Sequence, residues 1–217
     1  MNAAVPLAVY DFDGTMIRGD SIVDYLRFAY ARGQISPGTL LRAAMDGLCN
    51  RLGLISAGKA KYNALRFRDR LTAEAQNELD LAFAEQLFAR VRPDALRQIS
   101  QDRADGRLIV LLSASTDNYM LPLSRHLGVD ALICTRIDDL PDGNCRGTAK
   151  VARLQAWLTE NSITPDYPAS AAYGDSISDE SILALVGHPA AVNPTARTLR
   201  RFQSRFPVLR WSDKDQL

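Results

Sequence analysis

Short apolar runs and helical patterns alternate through much of this chain, and that alternation restricts its fold more than any other feature. Five runs have the length and composition of buried strands: Val5 to Tyr10, Arg107 to Leu112, Ala131 to Thr135, Ala169 to Asp175 and Pro189 to Val192. Helical periodicity follows three of them, at Asp117 to Leu127, Thr148 to Glu160 and Ser178 to Val186. Strands that alternate with helices predict an α/β fold with a Rossmann-like parallel sheet and helices on both faces.

The segment between the first two runs differs, because it contains helical periodicity and no strand-like run. Its apolar residues recur at helical spacing in three groups: Ile22, Tyr25, Leu26 and Ala29; Leu41, Met45, Leu48 and Leu52; and Leu79, Phe83, Leu87 and Phe88. We therefore expect an all-helical domain at residues 17–90, inserted after the first strand. The α/β core domain would then consist of residues 1–16 and 91–217.

Composition argues against several broad classes of protein. The formal net charge is only +1, whereas nucleic-acid-binding domains usually carry a clear basic excess. No apolar stretch is long enough to span a membrane, and the N-terminal apolar run lacks the basic start of a signal peptide. Cys49, Cys134 and Cys145 have neither zinc-ligand nor disulfide-framework spacing. We expect a cytoplasmic protein with no nucleic-acid partner and no integral membrane segment.

Polar residues stand at the ends of the predicted strands, where ligands bind in open parallel sheets. The chemistry-bearing residues are Asp11 and Asp13 after the first strand, Ser113, Ala114 and Ser115 after the second, Lys150 in the helix after the third, and Asp175 and Asp179 after the fourth. Parallel strands bring these ends to one edge of the sheet. The sequence therefore predicts that several carboxylates, a hydroxyl and an ammonium group meet there.

Carboxylates held close together repel and need a cation or a proton to coexist. A hard divalent cation with oxygen ligands meets that need, and Mg²⁺ suits such a cluster. A lysine and a serine hydroxyl beside it suit a phosphoryl group, whose transfer depends on positioning and charge neutralisation. One aspartate could then attack phosphorus while a second carries the proton of the leaving group.

Each of these residues also has a purely structural interpretation. Asp11 and Asp13 could form a turn and a helix cap at a strand end. Ser113 and Asp179 could cap the helices that follow them, and Lys150 could lie on a solvated helix face. The co-occurrence of all four groups in order favours the catalytic interpretation.

The four groups resemble the four motifs of the haloacid dehalogenase (HAD) superfamily. The matching segments are DFDGT at 11–15, LLSAS at 111–115, Lys150 and GDSISD at 174–179. They occur in the superfamily's order over nearly the whole chain. The helical insert resembles the superfamily's type 1 cap, and its all-helical content is similar to the phosphoserine-phosphatase-like subgroup, subfamily IB.

The resemblance implies a role for each catalytic and metal-binding residue. Asp11 would be the nucleophile, and Asp13 would be the general acid and base and would bind metal through its backbone carbonyl. Lys150 would neutralise charge on the nucleophile and the phosphate. Asp175 would ligate Mg²⁺, and Asp179 would support the metal site or Lys150.

The phosphate and the rest of the substrate would contact further residues. The resemblance implies that Phe12, Gly14, Ser113 and Ala114 belong to the phosphate-binding part of the site. In the helical insert we expect Arg66 or Arg68 to reach a substrate anion.

Asp20 stands where phosphoserine phosphatases usually carry a glutamate that reads the substrate amino group. Those enzymes also usually have serine where this chain has Gly14. Both differences argue against phosphoserine itself, so we expect a phosphatase for another small phosphorylated metabolite. Three alternatives remain: a phosphatase for phospholipid head groups of the phosphatidylglycerophosphate kind, a phosphomutase, and a non-catalytic phosphate- or metal-binding relative.

Overall fold

The computed structural model of the protein describes residues 3–213, and across that range the chain forms one six-stranded parallel sheet. The strands are β1 (Leu7–Tyr10), β2 (Leu108–Thr116), β3 (Ala131–Thr135), β4 (Ala171–Gly174), β5 (His188–Val192) and β6 (Val208–Leu209). Their order in the sheet is β3-β2-β1-β4-β5-β6, with every neighbouring pair parallel. The predicted α/β class is confirmed.

Four helices and a short 3₁₀ helix follow β1 and precede the helix that leads into β2. They are α1 (Ser21–Ala31), α2 (Pro37–Arg51), α3 (Ala57–Leu65), the 3₁₀ helix Arg66–Arg70, and α4 (Ala73–Ala89). The remaining helices are α5 (Pro93–Ala104), α6 (Asp117–Leu127), α7 (Thr148–Glu160), α8 (Glu180–Leu183) and α9 (Ala196–Phe202). We refer to α1–α4 and the 3₁₀ helix as the cap.

Strand β1 is buried on both faces because its side chains alternate between two hydrophobic cores. Ala8 and Tyr10 pack in the core that includes α5, α6 and the cap helices. Leu7 and Val9 pack in the core formed with α7, α8 and α9. Helices on both faces thus hold the central strand, and with it the residues that follow β1, in a fixed place.

Polar residues before three cap helices define where those helices begin. The side chains of Ser36, Ser56 and Thr72 each accept a hydrogen bond from the backbone N–H three residues later. Such caps satisfy one of the N–H groups left free in the first helical turn. Local sequence chemistry therefore divides the cap into its helices.

The structure departs from the predicted elements in the strands β2 and β6 and in helix α8. Strand β2 continues to Thr116, so the SAS segment forms the end of the strand, not the loop after it. The helix expected at 178–186 is interrupted, because Asp179 and Ser176 form a capping box on a 3₁₀ turn before α8. The two residues of β6 are too few to show a periodicity.

The predicted helix at Leu41–Leu52 forms, but its apolar face is not covered. Leu41, Met45, Leu48 and Leu52 are 66%, 54%, 50% and 66% exposed. Within α2, which is described throughout, no residue is buried. Periodicity thus predicted the helix correctly without showing whether anything packs on it.

Candidate active site

The carboxyl ends of β1 and β4 meet at the point where the strand order changes direction. From β1 the chain proceeds to β2 on one side, and β4 later returns to pair on the other side. In open parallel sheets this switch point forms a crevice for ligands. Asp11 follows β1 and Asp175 follows β4, so both predicted carboxylates lie there.

Lys150 joins two of the predicted carboxylates from the first turn of α7. Its Nζ lies 2.6 Å from Asp11 Oδ1 and 2.6 Å from Asp179 Oδ1, and the residue is only 2% exposed. Burial alone would lower the pKa of Lys150, but the charges of the two carboxylates outweigh it and raise the pKa above its ordinary value. Lys150 therefore remains an ammonium group inside the protein.

Three carboxylates crowd around that one ammonium group. Oxygens of Asp11, Asp175 and Asp179 lie within 4.8 Å of one another. Burial and the neighbouring carboxylates raise the pKa of Asp11 well above its usual range and that of Asp175 to about 7. The excess negative charge and the hard oxygen donors fit a divalent cation such as Mg²⁺.

The oxygens of Asp179 are already engaged by the protein. One accepts the hydrogen bond from Lys150, and the other accepts from the backbone N–H and hydroxyl of Ser176, at 3.1 and 2.8 Å. Asp11 Oδ1 also accepts from Lys150, but its Oδ2 accepts only a long hydrogen bond among the described residues, from Thr15 at 3.2 Å. Asp11 and Asp175 are therefore better placed than Asp179 to hold a cation. Asp179 holds Lys150 in position.

Asp13 faces a different set of partners, all neutral donors. Its Oδ1 accepts from the backbone N–H of Ser21 at 2.8 Å, and its Oδ2 accepts from the hydroxyls of Ser21 and Ser115 at 3.0 and 2.5 Å. Burial raises the pKa of Asp13, the charge of Asp20 adds to it, and the hydrogen bonds lower it, to give a pKa of about 6. A carboxyl group with this pKa can give and take a proton near neutral pH.

The DFDGT loop approaches the acidic cluster through its glycine. Gly14 has a φ of +79°, and a Cβ built there would lie 2.4 Å from Asp175 Oδ2. A side chain at this position would clash with Asp175 and strain the backbone. The predicted role of Phe12 can involve only its backbone, because its side chain is fully buried in a hydrophobic core.

Two residues that the sequence analysis did not select hold this loop in place. Thr15 donates its hydroxyl to Asp11 Oδ2 at 3.2 Å. Arg92, at the start of α5, donates to the carbonyl oxygens of Gly14 and Thr15 at 2.7 and 2.5 Å and pairs with Asp213 at 2.8 Å. The Arg92-Pro93 junction was visible as the point where the α/β pattern resumes, but its contact with residues so distant in sequence was not.

A cavity of about 430 Å³ lies between the strand ends and the cap. Its core side is formed by Asp11, Asp13, Asp175, Lys150, Ser113 and Ala114. Residues of α1, α2 and α3 form the cap side, which is largely apolar: Ile22, Val23, Leu26, Ala43, Ala57, Ala60 and Ala64. The core side of the cavity is thus polar, and the cap side is apolar enough to contact an organic group.

Two cap cations, Arg51 and Lys61, line this cavity, and the contacts of Lys61 are defined. Its Nζ donates to the carbonyl oxygen of Ala114 and, at 3.0 Å, to Asn144 Oδ1. Burial lowers the pKa of Lys61. The sequence analysis did not select Lys61 and expected Arg66 or Arg68 to make the substrate contact from the cap.

The structure does not bring Arg66 and Arg68 to the cavity. Both border a separate cleft beside α6. The guanidinium of Arg68 forms two hydrogen bonds with Asp80, at 2.6 and 2.8 Å, and both residues are buried. Arg68 is committed to an ion pair within the cap, which argues against the predicted contact with a substrate anion.

Asp20 lies at the rim of the cavity. It is exposed, and its carboxylate accepts the backbone N–H of Ile22 at 3.1 Å, which caps α1. Asp20 therefore has a structural role, and its charge also faces the space where a leaving group would lie.

Comparison with known families gives a match over most of the chain. The model of the haloacid dehalogenase-like hydrolases matches residues 8–184, which include all four motifs. The chain belongs to this family. Among curated relatives, protein CicA of Caulobacter vibrioides is 35% identical over 191 residues, covering 82% of both chains. A histidinol-phosphatase of Neisseria meningitidis is 24% identical over 221 residues, covering 94% of this chain and 97% of the relative.

Solved structures share the HAD fold of this chain. A Bordetella pertussis protein of unknown function superimposes with a TM-score of 0.81 and 24% identity, covering 95% of this chain and 99% of the other. A probable phosphoserine phosphatase from Vibrio cholerae superimposes with a TM-score of 0.70 and 15% identity, covering 97% and 62%. These likenesses show that the chain shares the fold of both proteins.

Within the part of the chain that the structure describes, no helix is both long and apolar enough to cross a membrane.

Proposed function

We propose that this HAD family member is a Mg²⁺-dependent phosphomonoester phosphatase that acts on a small phosphorylated metabolite through an aspartyl-phosphate on Asp11. The observation that carries the proposal is the buried contact of Lys150 with Asp11 and Asp179, beside Asp175, at the floor of a capped cavity. Such an excess of carboxylates around one ammonium group is poised for a metal ion and a phosphoryl group.

The first chemical step joins Asp11 to phosphorus. A carboxylate oxygen of Asp11 attacks, the bond from phosphorus to the leaving-group oxygen breaks, and Asp13 donates its proton to that oxygen. Lys150 stabilises the charge that develops on the phosphoryl oxygens, and Ser113 with the amide of Ala114 orients them. Bound Mg²⁺, held by Asp11, Asp175 and the backbone carbonyl of Asp13, would supply charge neutralisation at the same oxygens.

The second step releases phosphate. Asp13, now a carboxylate, accepts a proton from a water molecule as that water attacks phosphorus, and the bond to Asp11 breaks. The hydrogen bonds from Ser21 and Ser115 aim the Asp13 carboxylate, and its pKa of about 6 allows both proton transfers. The cap, residues 17–90, would close over the leaving group and limit the access of other water.

The cap side of the cavity supports an organic leaving group with an apolar body. Small and aliphatic residues line most of it, while Asp20 offers a negative charge and Lys61 a positive one. The Neisseria relative is named a histidinol-phosphatase, and that name refers to the phosphate ester of a small organic molecule. We therefore propose a small metabolite that carries a polar group within reach of Asp20 or Lys61.

Hydrolysis of p-nitrophenyl phosphate with and without Mg²⁺ tests the reaction. We expect turnover that requires Mg²⁺, disappears in Asp11→Asn and persists in Asp69→Asn, a matched change at an exposed residue of the cap. A panel containing histidinol phosphate, phosphoserine, sugar phosphates and phospholipid head-group esters then identifies the substrate class. Absence of turnover with every phosphomonoester, in protein that binds Mg²⁺, would make this chain a non-catalytic relative.

A further inference from the structure

The exposed apolar stripe on α2 has no part in the proposed reaction. Leu41, Met45, Leu48 and Leu52 follow one another at intervals of four, three and four residues, so they share one face of the helix. Each is at least half exposed, and Leu54, just beyond the helix, is 70% exposed. Contiguous apolar patches on a folded surface mark sites of interaction, whereas single exposed apolar residues do not.

The chain segment that carries this stripe is basic, although one of its cations, Lys61, lies in the cavity. Between Arg27 and Lys61 the sequence contains six basic residues and one acidic residue, although the net charge of the whole chain is +1. The acidic residue, Asp46, accepts a hydrogen bond from Asn63 at 3.1 Å and so faces α3. Arg42 and Arg51 lie on α2 about 90° to either side of the stripe, given 3.6 residues per helical turn.

We propose that the apolar face of α2 docks on an anionic lipid bilayer, with the helix lying parallel to the membrane surface. A helix with an apolar stripe and basic residues along both borders has the features of an interfacial helix. The leucines and Met45 enter the boundary between head groups and acyl chains. The stems of Arg42 and Arg51 extend along that boundary and bring their guanidinium groups to the lipid phosphates.

The charge pattern favours lipid over a second copy of this chain. A two-fold pairing of α2 helices would bring the basic borders of both copies together, and the resulting repulsion would oppose the contact. An anionic membrane satisfies the apolar stripe and the basic borders at once.

Docking in this orientation would not block the proposed active site. The cavity contacts α2 through Ala43, Gly47 and Asn50, which lie on the other side of the helix from the stripe, and through Arg51 at one border of the stripe. The membrane would therefore cover the outside of the cap and leave its inner surface free. The proposal does not depend on the phosphatase reaction, since lipid binding can be measured without turnover.

Co-sedimentation of the full chain with vesicles tests the proposal. We expect binding to phosphatidylcholine vesicles that contain one third phosphatidylglycerol, much weaker binding to pure phosphatidylcholine, and a decline in binding as salt increases. The absence of binding to the anionic vesicles at low salt overturns the proposal.

Variants then locate the contact. Leu41→Ser/Met45→Ser/Leu48→Ser should weaken the partition onto anionic vesicles by at least about tenfold, because apolar area no longer leaves water. Leu81→Ser, at a residue of α4 that is 42% exposed, is the matched control and should bind as the wild type does. Arg42→Gln should weaken the partition by about fivefold, because one basic border loses its charge.

Two further measurements separate docking from misfolding and from self-association. The stripe variant should keep the wild-type circular dichroism spectrum and its p-nitrophenyl phosphate turnover in solution, since none of its three positions lines the cavity. Unchanged vesicle binding by that correctly folded variant overturns the proposal. A wild-type dimer that the stripe variant converts to monomer, by analytical ultracentrifugation, assigns the face to a second copy and also overturns it.

Discussion

Two buried charge clusters, one in the core and one in the cap, contain similar groups but differ in the ratio of carboxylates to cations. In the core, Lys150 contacts Asp11 and Asp179, with Asp175 close by. In the cap, Arg68 contacts Asp80 through two hydrogen bonds. The core cluster has more carboxylates than cations, whereas the cap cluster has one of each.

The surroundings reinforce this difference. In the cap, Asp80 also accepts from the hydroxyl of Tyr25 at 2.6 Å and from Asn118 at 2.7 Å, and Arg68 donates to Gln76 at 3.2 Å. Both charges of this pair therefore have a partner of opposite sign and further hydrogen bonds. In the core, the three carboxylates outnumber the ammonium group, so they still repel one another. A buried pair with equal positive and negative charge stabilises the fold. A buried cluster with excess negative charge is suited to bind a cation.

The largest effect is expected from Asp11→Asn, and comparison with Asp80→Asn separates a ligand-binding cluster from a structural one. Asp11→Asn should lower kcat for p-nitrophenyl phosphate by at least about 10⁴-fold, because it removes the proposed nucleophile. The same change should raise the melting temperature of the metal-free protein, since it removes one repelling carboxylate. Asp80→Asn should instead lower the melting temperature. If both variants shift the melting temperature in the same direction, the distinction between the clusters is wrong.

Asp13→Asn tests the proton carrier, with an expected loss in kcat of about 10²- to 10⁴-fold. The loss should be greater for an alkyl phosphate than for p-nitrophenyl phosphate, whose leaving group departs without a proton. Steady-state kinetics on the two substrates measures the contrast. An equal loss on both would argue against proton donation by Asp13.

Arg68→Met tests the cap pair and should lower the free energy of unfolding by about 3–5 kcal/mol, since it leaves Asp80 buried without its cation. Arg68→Met/Asp80→Leu should recover part of that loss. Urea unfolding measures both variants. At temperatures where the variants are folded, their kcat should stay within a few-fold of the wild type, because Arg68 lies outside the cavity. A rise in KM without a change in kcat would instead indicate that Arg68 contacts the substrate.

Addition of Mg²⁺ tests the core cluster without any measurement of activity. Mg²⁺ at one hundred times its Kd should stabilise the wild type by about 2.7 kcal/mol, seen as a rise in melting temperature. Asp175→Asn should lose most of this response, and Asp80→Asn should keep it. An undiminished response in Asp175→Asn would place the cation elsewhere.

The smallest effect is expected on the exposed face of the cap. Leu48→Ser should change the free energy of unfolding by no more than about 0.5 kcal/mol, because Leu48 is half exposed on a helix without buried residues. Leu79→Ser, at a buried position of α4, provides the contrast and should cost several times more. Urea unfolding measures both. A large loss in Leu48→Ser would mean that the stripe is covered in solution.

The sequence predicted correctly which groups lie at the strand ends. It was less successful in predicting which residues contact one another. Asp11, Lys150 and Asp175 were expected at one edge of the sheet, and the structure brings them together there. Lys61 and Arg92 were not selected, because each acts on a carbonyl oxygen more than 50 residues away in sequence. Arg68 was assigned to the substrate because nothing in the local sequence marked Asp80 as its partner.

Local patterns in the sequence determined the elements and the chemical groups they carry. Apolar runs, helical spacing and caps such as Ser36 act over a few residues, so they predict strands and helices directly. Tertiary structure alone decided which groups meet. It placed Lys150 on Asp11, 139 residues away, and paired Arg68 with Asp80. It also left the apolar face of α2 uncovered, because burial depends on the packing of distant elements and not on periodicity.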